Sequence, residues 1–137
     1  MLSAKFREPS IKRRMQQRSQ TKTRSFDFAV RIVEQYKVLS GERKEFVLSR
    51  QLLRSGTSIG ANVTEALSSF SSKEYASKFS IARKEAAETI YWLDLLYRTK
   101  YLTQEEYSTL YEDAVILMKM ISATIITMQK RLGRMET

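Results

Sequence analysis

Apolar residues recur at steps of three and four along most of the chain, which is the spacing of one face of an α-helix. The pattern is clearest over residues 75–97, where one stripe is dominated by apolar side chains. The stripe consists of Tyr75, Phe79, Ala82, Ala86, Ile90, Leu93 and Tyr97. Such a stripe is typical of the core face of an amphipathic helix. The segment therefore predicts a long helix that packs against the rest of the fold.

The same segment carries a second, partly apolar seam on another face. This second seam consists of Ile81, Glu85, Glu88, Trp92 and Leu95. The core of a single four-helix bundle does not need it, and Trp and Tyr are enriched at protein interfaces. We therefore predict that Ile81, Trp92 and Leu95 lie in an interface between copies of the chain. An alternative stays open, in which Tyr91 and Trp92 form a platform on which bases stack.

The preceding segment combines an apolar stripe with a line of polar residues on roughly the opposite side. The apolar residues are Leu48, Leu52, Ile59, Val63, Ala66, Leu67 and Phe70, and the polar line is Arg54, Ser58, Asn62 and Glu65. Polar residues opposite a core are commonly just solvated. Small neighbours, with Gly56 and Gly60, instead favour close approach of another backbone, because a glycine inside a helix costs about 1 kcal/mol. On this second interpretation, Arg54 and Glu65 are bonded to another helix or subunit.

Four helices are predicted, over residues 26–39, 42–69, 72–99 and 103–132. Ser25 is the candidate N-cap of the first helix, and the dipeptide Ser40-Gly41 ends it. Its predicted inner face consists of Ala29, Ile32, Val33 and Tyr36. Capping boxes begin the third and fourth helices, at Ser71 with Glu74 and at Thr103 with Glu106. Short connections favour antiparallel neighbours, so residues 25–133 are predicted to form an all-α, up-down antiparallel four-helix bundle that is oligomeric.

The composition limits the chemistry that is open to the chain. Its 137 residues, of which 42% are hydrophobic, suit one domain with one core. The chain has no cysteine and no histidine, so it lacks a thiolate, the commonest metal ligand and the commonest general base. No apolar run reaches the roughly 18 residues of a membrane span. We therefore expect a cytoplasmic protein without catalytic residues, metal, cofactor or membrane contact.

Three carboxylates are the remaining candidates for chemistry. Glu85 and Glu88 lie one turn apart on the second seam, and a three-carboxylate cluster would form if Glu65 approached them across the predicted helix pair. Carboxylate-bridged metal sites in bundles usually add a Glu-x-x-His pattern, which this chain cannot supply. A structural or intersubunit polar network is therefore the favoured interpretation.

Positive charge is concentrated at the start of the chain. Residues 1–24 carry eight basic residues against one acid, Glu8, out of a net charge of +9 for the whole chain. Pro9 breaks an early helix and few apolar residues follow it, so residues 1–24 are expected to be a disordered tail. Residues 134–137 are expected to form a short second tail. The residues predicted to contact nucleic-acid phosphates are Lys12, Arg13, Arg14, Arg18, Lys22, Arg24, Lys130 and Arg131.

The run LLRSGTSIGANVTEA, followed by KEYASKFSIARKEAAETIYWLDLL, resembles the bacterial four-helix-bundle proteins encoded in intervening sequences of large-subunit ribosomal RNA genes. The accessory variability proteins of diversity-generating retroelements are similar in fold. The resemblance covers residues 25–132, and the spacing of the polar line is its most specific part. It implies an all-α protomer, a ring-like homopentamer and no known catalysis. For the retroelement branch it also implies a basic surface that binds nucleic acid and a reverse transcriptase.

Two functions are therefore expected to compete. In the first, the protein is an oligomeric accessory protein that binds RNA or DNA through basic surfaces and its tail. In the alternative, the protein is a structural scaffold for a partner protein, and the charge of the tail is incidental. An enzyme has no supporting constellation of residues in this sequence.

Overall fold

The computed structural model describes residues 7–136, and all regular structure in that range is helical. The helices are α1 (Ile11–Lys37), α2 (Leu48–Leu67), α3 (Ser72–Arg98) and α4 (Gln104–Glu136). Each helix packs against the next, and α1 also packs against α4, which closes the bundle. The predicted all-α, up-down four-helix bundle is confirmed. Within residues 7–136, no helix is long and apolar enough to cross a membrane.

The first helix begins much earlier than predicted. Its N-cap is Ser10, whose Oγ accepts a hydrogen bond from the Arg13 amide at 3.2 Å. Residues 11–24 are therefore helical, and the prediction of a disordered tail is wrong for them; residues 1–6 lie outside the described part of the chain. Ser25 lies inside the helix and is not its N-cap. The C-terminal segment differs as well, because α4 continues to Glu136.

The polar character of the buried face explains why the start of α1 was missed. Thr21 and Ser25 are only 2% and 1% exposed. Their hydroxyls donate to backbone carbonyls of the same helix, from Thr21 to Gln17 at 2.8 Å and from Ser25 to Lys22 at 3.0 Å. A buried hydroxyl that is satisfied in this way leaves no unpaired polar atom. A search for apolar residues at helical spacing therefore does not detect this part of the core.

The connection from α1 to α2 is built around a buried carboxylate. A π-helical turn, Val38–Glu42, ends α1, and α2 begins only at Leu48 rather than at residue 42. The Glu45 carboxylate accepts hydrogen bonds from the amides of Val47, Leu48 and Ser49, at 3.2, 2.9 and 2.6 Å. These amides have no partner within the helix, so Glu45 caps the start of α2.

The core includes a close contact between α1 and α2. A Cβ atom on Gly56 would lie 2.8 Å from Ile32 Cγ1, and one on Gly60 would lie 3.1 Å from the Ser25 carbonyl oxygen. The small residues of α2 thus serve packing inside the protomer. Phe70, which was predicted to belong to the core stripe, is fully exposed. The reason is that α2 ends at Leu67, so Phe70 lies in the connection to α3.

The start of α4 is tied to the α1–α2 connection by Glu106. Thr103 and Glu106 form the predicted capping box, with the Glu106 amide donating to Thr103 Oγ1 at 3.2 Å and the Thr103 amide donating to Glu106 Oε1 at 2.8 Å. Arg43 adds two hydrogen bonds to the same carboxylate, at 2.8 and 2.9 Å, and Gln35 adds one at 3.1 Å. Partial burial acts to raise the pKa of Glu106, but these donors outweigh it and lower the pKa to about 2.

This shift predicts that acid weakens the fold through Glu106. The folded pKa lies below the ordinary 4.5, so the unfolded chain takes up the proton first as the pH falls. The stabilisation is complete above about pH 4.5, is lost as the pH falls towards 2, and amounts to about 1 to 2 kcal/mol after allowance for solvent screening. When unfolding by urea is measured between pH 5 and 2, the free energy of unfolding should fall less steeply with decreasing pH for Glu106→Gln than for the wild type. Glu105→Gln, a change at an exposed neighbour, should show the same pH dependence as the wild type. An identical pH dependence in all three proteins would contradict the assignment of the acid effect to Glu106.

Candidate nucleic-acid interface

The basic residues of the first and last helices meet at one end of the bundle. Residues 7–24 lie beside residues 120–134, and we call these two segments together the basic end. An ion pair of 2.9 Å between Arg131 Nε and Glu8 Oε1 joins the segments. They carry ten lysines and arginines and a single glutamate, while the rest of the chain balances to zero. The basic end therefore carries the whole net charge of +9.

The predicted phosphate-contacting residues differ in their surroundings. Five are exposed on the surface of the basic end, namely Lys12, Arg13, Lys22, Arg24 and Lys130. Arg14, Arg18 and Arg131 are partly covered. Arg24 lies 3.6 Å from the carboxylate of Asp113 on α4, which also pairs with Arg31. Arg24 is thus engaged by an acidic residue that lies outside the basic end.

A small cleft opens between α1, α3 and α4 at this end. The residues that line it are Arg14, Gln17, Arg18, Tyr75, Thr124, Thr127, Met128 and Arg131. The Arg18 guanidinium lies 4.8 Å from the centre of the Tyr75 ring, a cation–π distance. Burial raises the pKa of Tyr75, although the nearby arginines oppose the shift. The cleft therefore presents guanidiniums and hydroxyl groups, which are donors suited to an anion.

The second seam of α3 forms an ion-pair network with α2. Arg54 bonds to Glu85 at 3.2 Å and to Glu88 at 2.5 Å. The hydrogen bond with Glu88 raises the pKa of Arg54 and lowers that of Glu88. Since half of the Arg54 side chain is exposed, the network adds at most about 1 kcal/mol to stability. The network links α2 to α3 on the surface of the bundle.

The rest of the polar line does not join this network. Ser58 and Asn62 donate to carbonyls of their own helix, from Ser58 to Arg54 at 2.5 Å and from Asn62 to Ser58 at 2.8 Å. Glu65 pairs with Lys78 of α3 at 2.7 Å, and not with the Glu85 and Glu88 carboxylates. Among the described residues, no group of three or more acidic residues could hold a metal ion. The possible three-carboxylate cluster is therefore absent from this part of the chain.

Comparison with known proteins identifies the family. The model of the "23S rRNA-intervening sequence protein" family matches residues 17–123. The chain belongs to this family. A 1.70 Å crystal structure of a protein with unknown function from the S23 ribosomal protein family of Bacteroides thetaiotaomicron is similar. Its identity is 49% and the TM-score is 0.78, over 80% of this chain and 97% of that one. No curated protein matches significantly.

The three predicted interface residues of this family member lie on α3, where one is exposed and two are partly covered. Ile81 is 37% exposed, and Trp92 and Leu95 are half-buried. Trp92 Nε1 donates to Glu88 at 3.3 Å, and the Trp92 ring meets Tyr91 edge-to-face, with their centroids 4.9 Å apart. Trp92 is thus held in place by the ion-pair network, while Tyr91 is mostly exposed.

Two residues at or beside the basic end were not predicted from the sequence to belong to the site, namely Glu8 and Tyr75. Glu8 was counted only as the one acidic residue of residues 1–24, and Tyr75 was assigned only to the core stripe. The structure places the Glu8 carboxylate against three arginines and the Tyr75 ring beneath Arg18. The sequence signal that could have indicated a role for Glu8 was its position as the single acidic residue ahead of a dense run of lysines and arginines.

Proposed function

We propose that the protein is a non-enzymatic, oligomeric accessory protein that binds the phosphate backbone of nucleic acid through the basic end. The observation that carries this proposal is the collection of ten basic residues from two distant segments against one acid. Such a concentration of charge attracts polyanions and raises their association rate. The sequence has no groove-reading motif, so binding is expected to depend on phosphates and to be insensitive to base sequence.

Oligomer formation is part of the same proposal. The exposed apolar atoms of the second seam support contact with another copy, and so does the exposed apolar face of α1. That face is formed by Ile11, Met15, Phe26 and Val30. A homopentamer is what the resemblance implies. Several basic ends on one particle would bind one strand at a raised effective concentration.

Light scattering at micromolar concentration should give the mass of an oligomer, and Trp92→Ala should lower that mass. A wild-type protein that is monomeric under these conditions would contradict the proposal of an oligomer.

The scaffold alternative remains the second candidate function. The half-exposed Trp92 and exposed Ile81 would equally suit a partner protein such as a reverse transcriptase. In that case the protein would act in the cytoplasm without touching nucleic acid. Binding assays with RNA and DNA separate the two candidates, because the scaffold does not require any affinity for either.

The test compares two variants with the same change of charge. The first replaces Lys12, Arg13 and Lys22 by Gln at the basic end, and the control replaces Arg50, Lys84 and Lys119 by Gln elsewhere. All six side chains are exposed, so both variants should fold. Substitution is preferred to removal of residues 1–23, because the first turns of α1 contain the buried Thr21.

Fluorescence anisotropy with a labelled single-stranded RNA, repeated across a salt series, gives the affinity and its salt slope. We expect the basic-end variant to flatten the slope by about 2 to 3, since each phosphate contact contributes roughly 0.7 to 0.9. The control should stay within about twofold of the wild type. Equal losses in both variants would show that binding is spread over the surface. Absence of binding by the wild type to RNA and DNA would overturn the nucleic-acid function and favour the scaffold.

A further inference from the structure

The carboxylate of Glu8 lies among three guanidinium groups. Arg131 Nε is 2.9 Å from Glu8 Oε1, Arg134 Nη1 is 2.7 Å from Glu8 Oε2, and Arg14 bonds to Oε1 as well. Two of these arginines come from α4 and one from α1. The Glu8 side chain is 23% exposed, so its partners cover most of it. Three charge-assisted contacts to one carboxylate define an anion-binding site.

The segment that carries Glu8 lies outside the helix. Residues 7–10 are irregular, and the Ser10 cap turns the chain so that Glu8 reaches back to Arg14. The arginines, in contrast, are held on two packed helices. Glu8 can therefore leave the site while α1 and its cap stay in place.

Arg14 and Arg131 alone bring more positive charge than the Glu8 carboxylate can balance. One carboxylate faces three arginines, and Arg18 lines the neighbouring cleft together with the hydroxyl-bearing Thr124 and Thr127. Guanidinium groups bind phosphate with the same paired geometry that they use for carboxylate. Partly exposed ion pairs are weak in water, so a polyanion can compete with Glu8 for these arginines.

We propose that Glu8 occupies a phosphate site, and that nucleic acid binds there by displacing it. This inference rests on the proposed function and assigns the place where a phosphate enters. Glu8 is then an internal competitor, which lowers the affinity for every polyanion. Arg14, whose side chain is 17% exposed, forms the inner wall of the site, and Arg134, which is 56% exposed, lies at its entrance.

The test uses Glu8→Gln, which keeps the shape of the side chain and removes its charge. Glu112→Gln is the control, because it makes the same charge change at an exposed position of α4 outside the basic end. RNA affinity is measured by anisotropy across a salt series, and binding of inorganic pyrophosphate is measured by calorimetry in phosphate-free buffer. Circular dichroism confirms that both variants are folded.

We expect Glu8→Gln to bind RNA roughly fivefold more tightly or better, because the wild-type site is fully open only in a fraction of molecules. Its salt slope should be steeper by about 1 to 2, since the released arginines meet additional phosphates. Pyrophosphate should bind more tightly to Glu8→Gln than to the wild type, and Glu112→Gln should match the wild type in both assays.

Two results would overturn this inference. If Glu8→Gln binds RNA no better than the wild type, or more weakly, then Glu8 acts as a clamp that orients the arginines. If neither the wild type nor the two variants bind RNA or DNA, the proposed function fails. The calorimetric measurement of pyrophosphate binding then tests the anion site by itself. Tighter pyrophosphate binding by Glu8→Gln would keep the anion site, and unchanged binding would remove it.

Discussion

Gly56→Ala should destabilise the bundle by about 1 to 3 kcal/mol relative to Gly133→Ala, the cost of overpacking a tight core. The added Cβ would lie 2.8 Å from Ile32 Cγ1 and 2.9 Å from Ile32 Cγ2. Ile32 is fully buried, so its side chain has no free space into which it can turn. The helices α1 and α2 would have to separate at this contact.

Gly133 is the matched control because it also lies in a helix. A Cβ there would meet nothing within 4 Å, so Gly133→Ala gains the helix propensity of alanine, up to about 1 kcal/mol, without a clash. Urea unfolding of the two variants isolates the packing effect. Equal stabilities would show that the contact between α1 and α2 is looser than the structure indicates.

Glu45→Gln is the second change with a large expected effect. The carboxylate caps three backbone amides at the start of α2 and is 7% exposed. A glutamine has one acceptor oxygen, and its amino group would face a donor. The expected loss is about 1.5 to 3 kcal/mol in the free energy of unfolding, the range for hydrogen bonds to a charged group.

The neighbouring Glu42 provides the comparison for Glu45. Glu42 is exposed, so Glu42→Gln should change the free energy of unfolding by less than about 0.5 kcal/mol. Both variants remove the same charge from the same connection. A similar small loss in both would mean that water replaces the carboxylate at the α2 amides.

The third and fourth helices could be predicted closely because their start signals are local. Residues 72–99 were expected for α3, which is Ser72–Arg98, and residues 103–132 for α4, which is Gln104–Glu136. In each case a hydroxyl at the N-cap bonds to an amide three residues later. Two neighbouring turns contain all the residues that such a cap needs.

The start of α1 has a similar local cap, from the Ser10 hydroxyl to the Arg13 amide, but the turns that follow it lack an apolar core face. Its buried positions are Thr21 and Ser25, which a hydrophobic pattern scores as surface. Ser25 lies against Gly60 of α2, and that contact joins residues far apart in sequence. The start of α2 depends likewise on how Glu45 folds back, because Lys44 adopts a positive φ of 57°.

The candidate site was predictable in composition but not in geometry. The basic residues of both termini could be named, yet their meeting requires residues 11–24 to be helical and to lie beside the end of α4, whereas they were expected to form a disordered tail. Arg54 was expected to bond to another helix or subunit without a named partner, and its partners are Glu85 and Glu88 of α3. Ser58 and Asn62 have short side chains that reach their own backbone first, so spacing alone did not reveal their partners.

Lysine footprinting tests most directly whether the basic end is the nucleic-acid surface. The protein is acetylated briefly with and without saturating RNA, and the modification of each lysine is measured by mass spectrometry. Lys12 and Lys22 should be protected by RNA, whereas Lys44, Lys84 and Lys119, which are also exposed, should react at unchanged rates. Protection of Lys84 or Lys119 without protection of Lys12 and Lys22 would place the nucleic acid elsewhere and contradict the account.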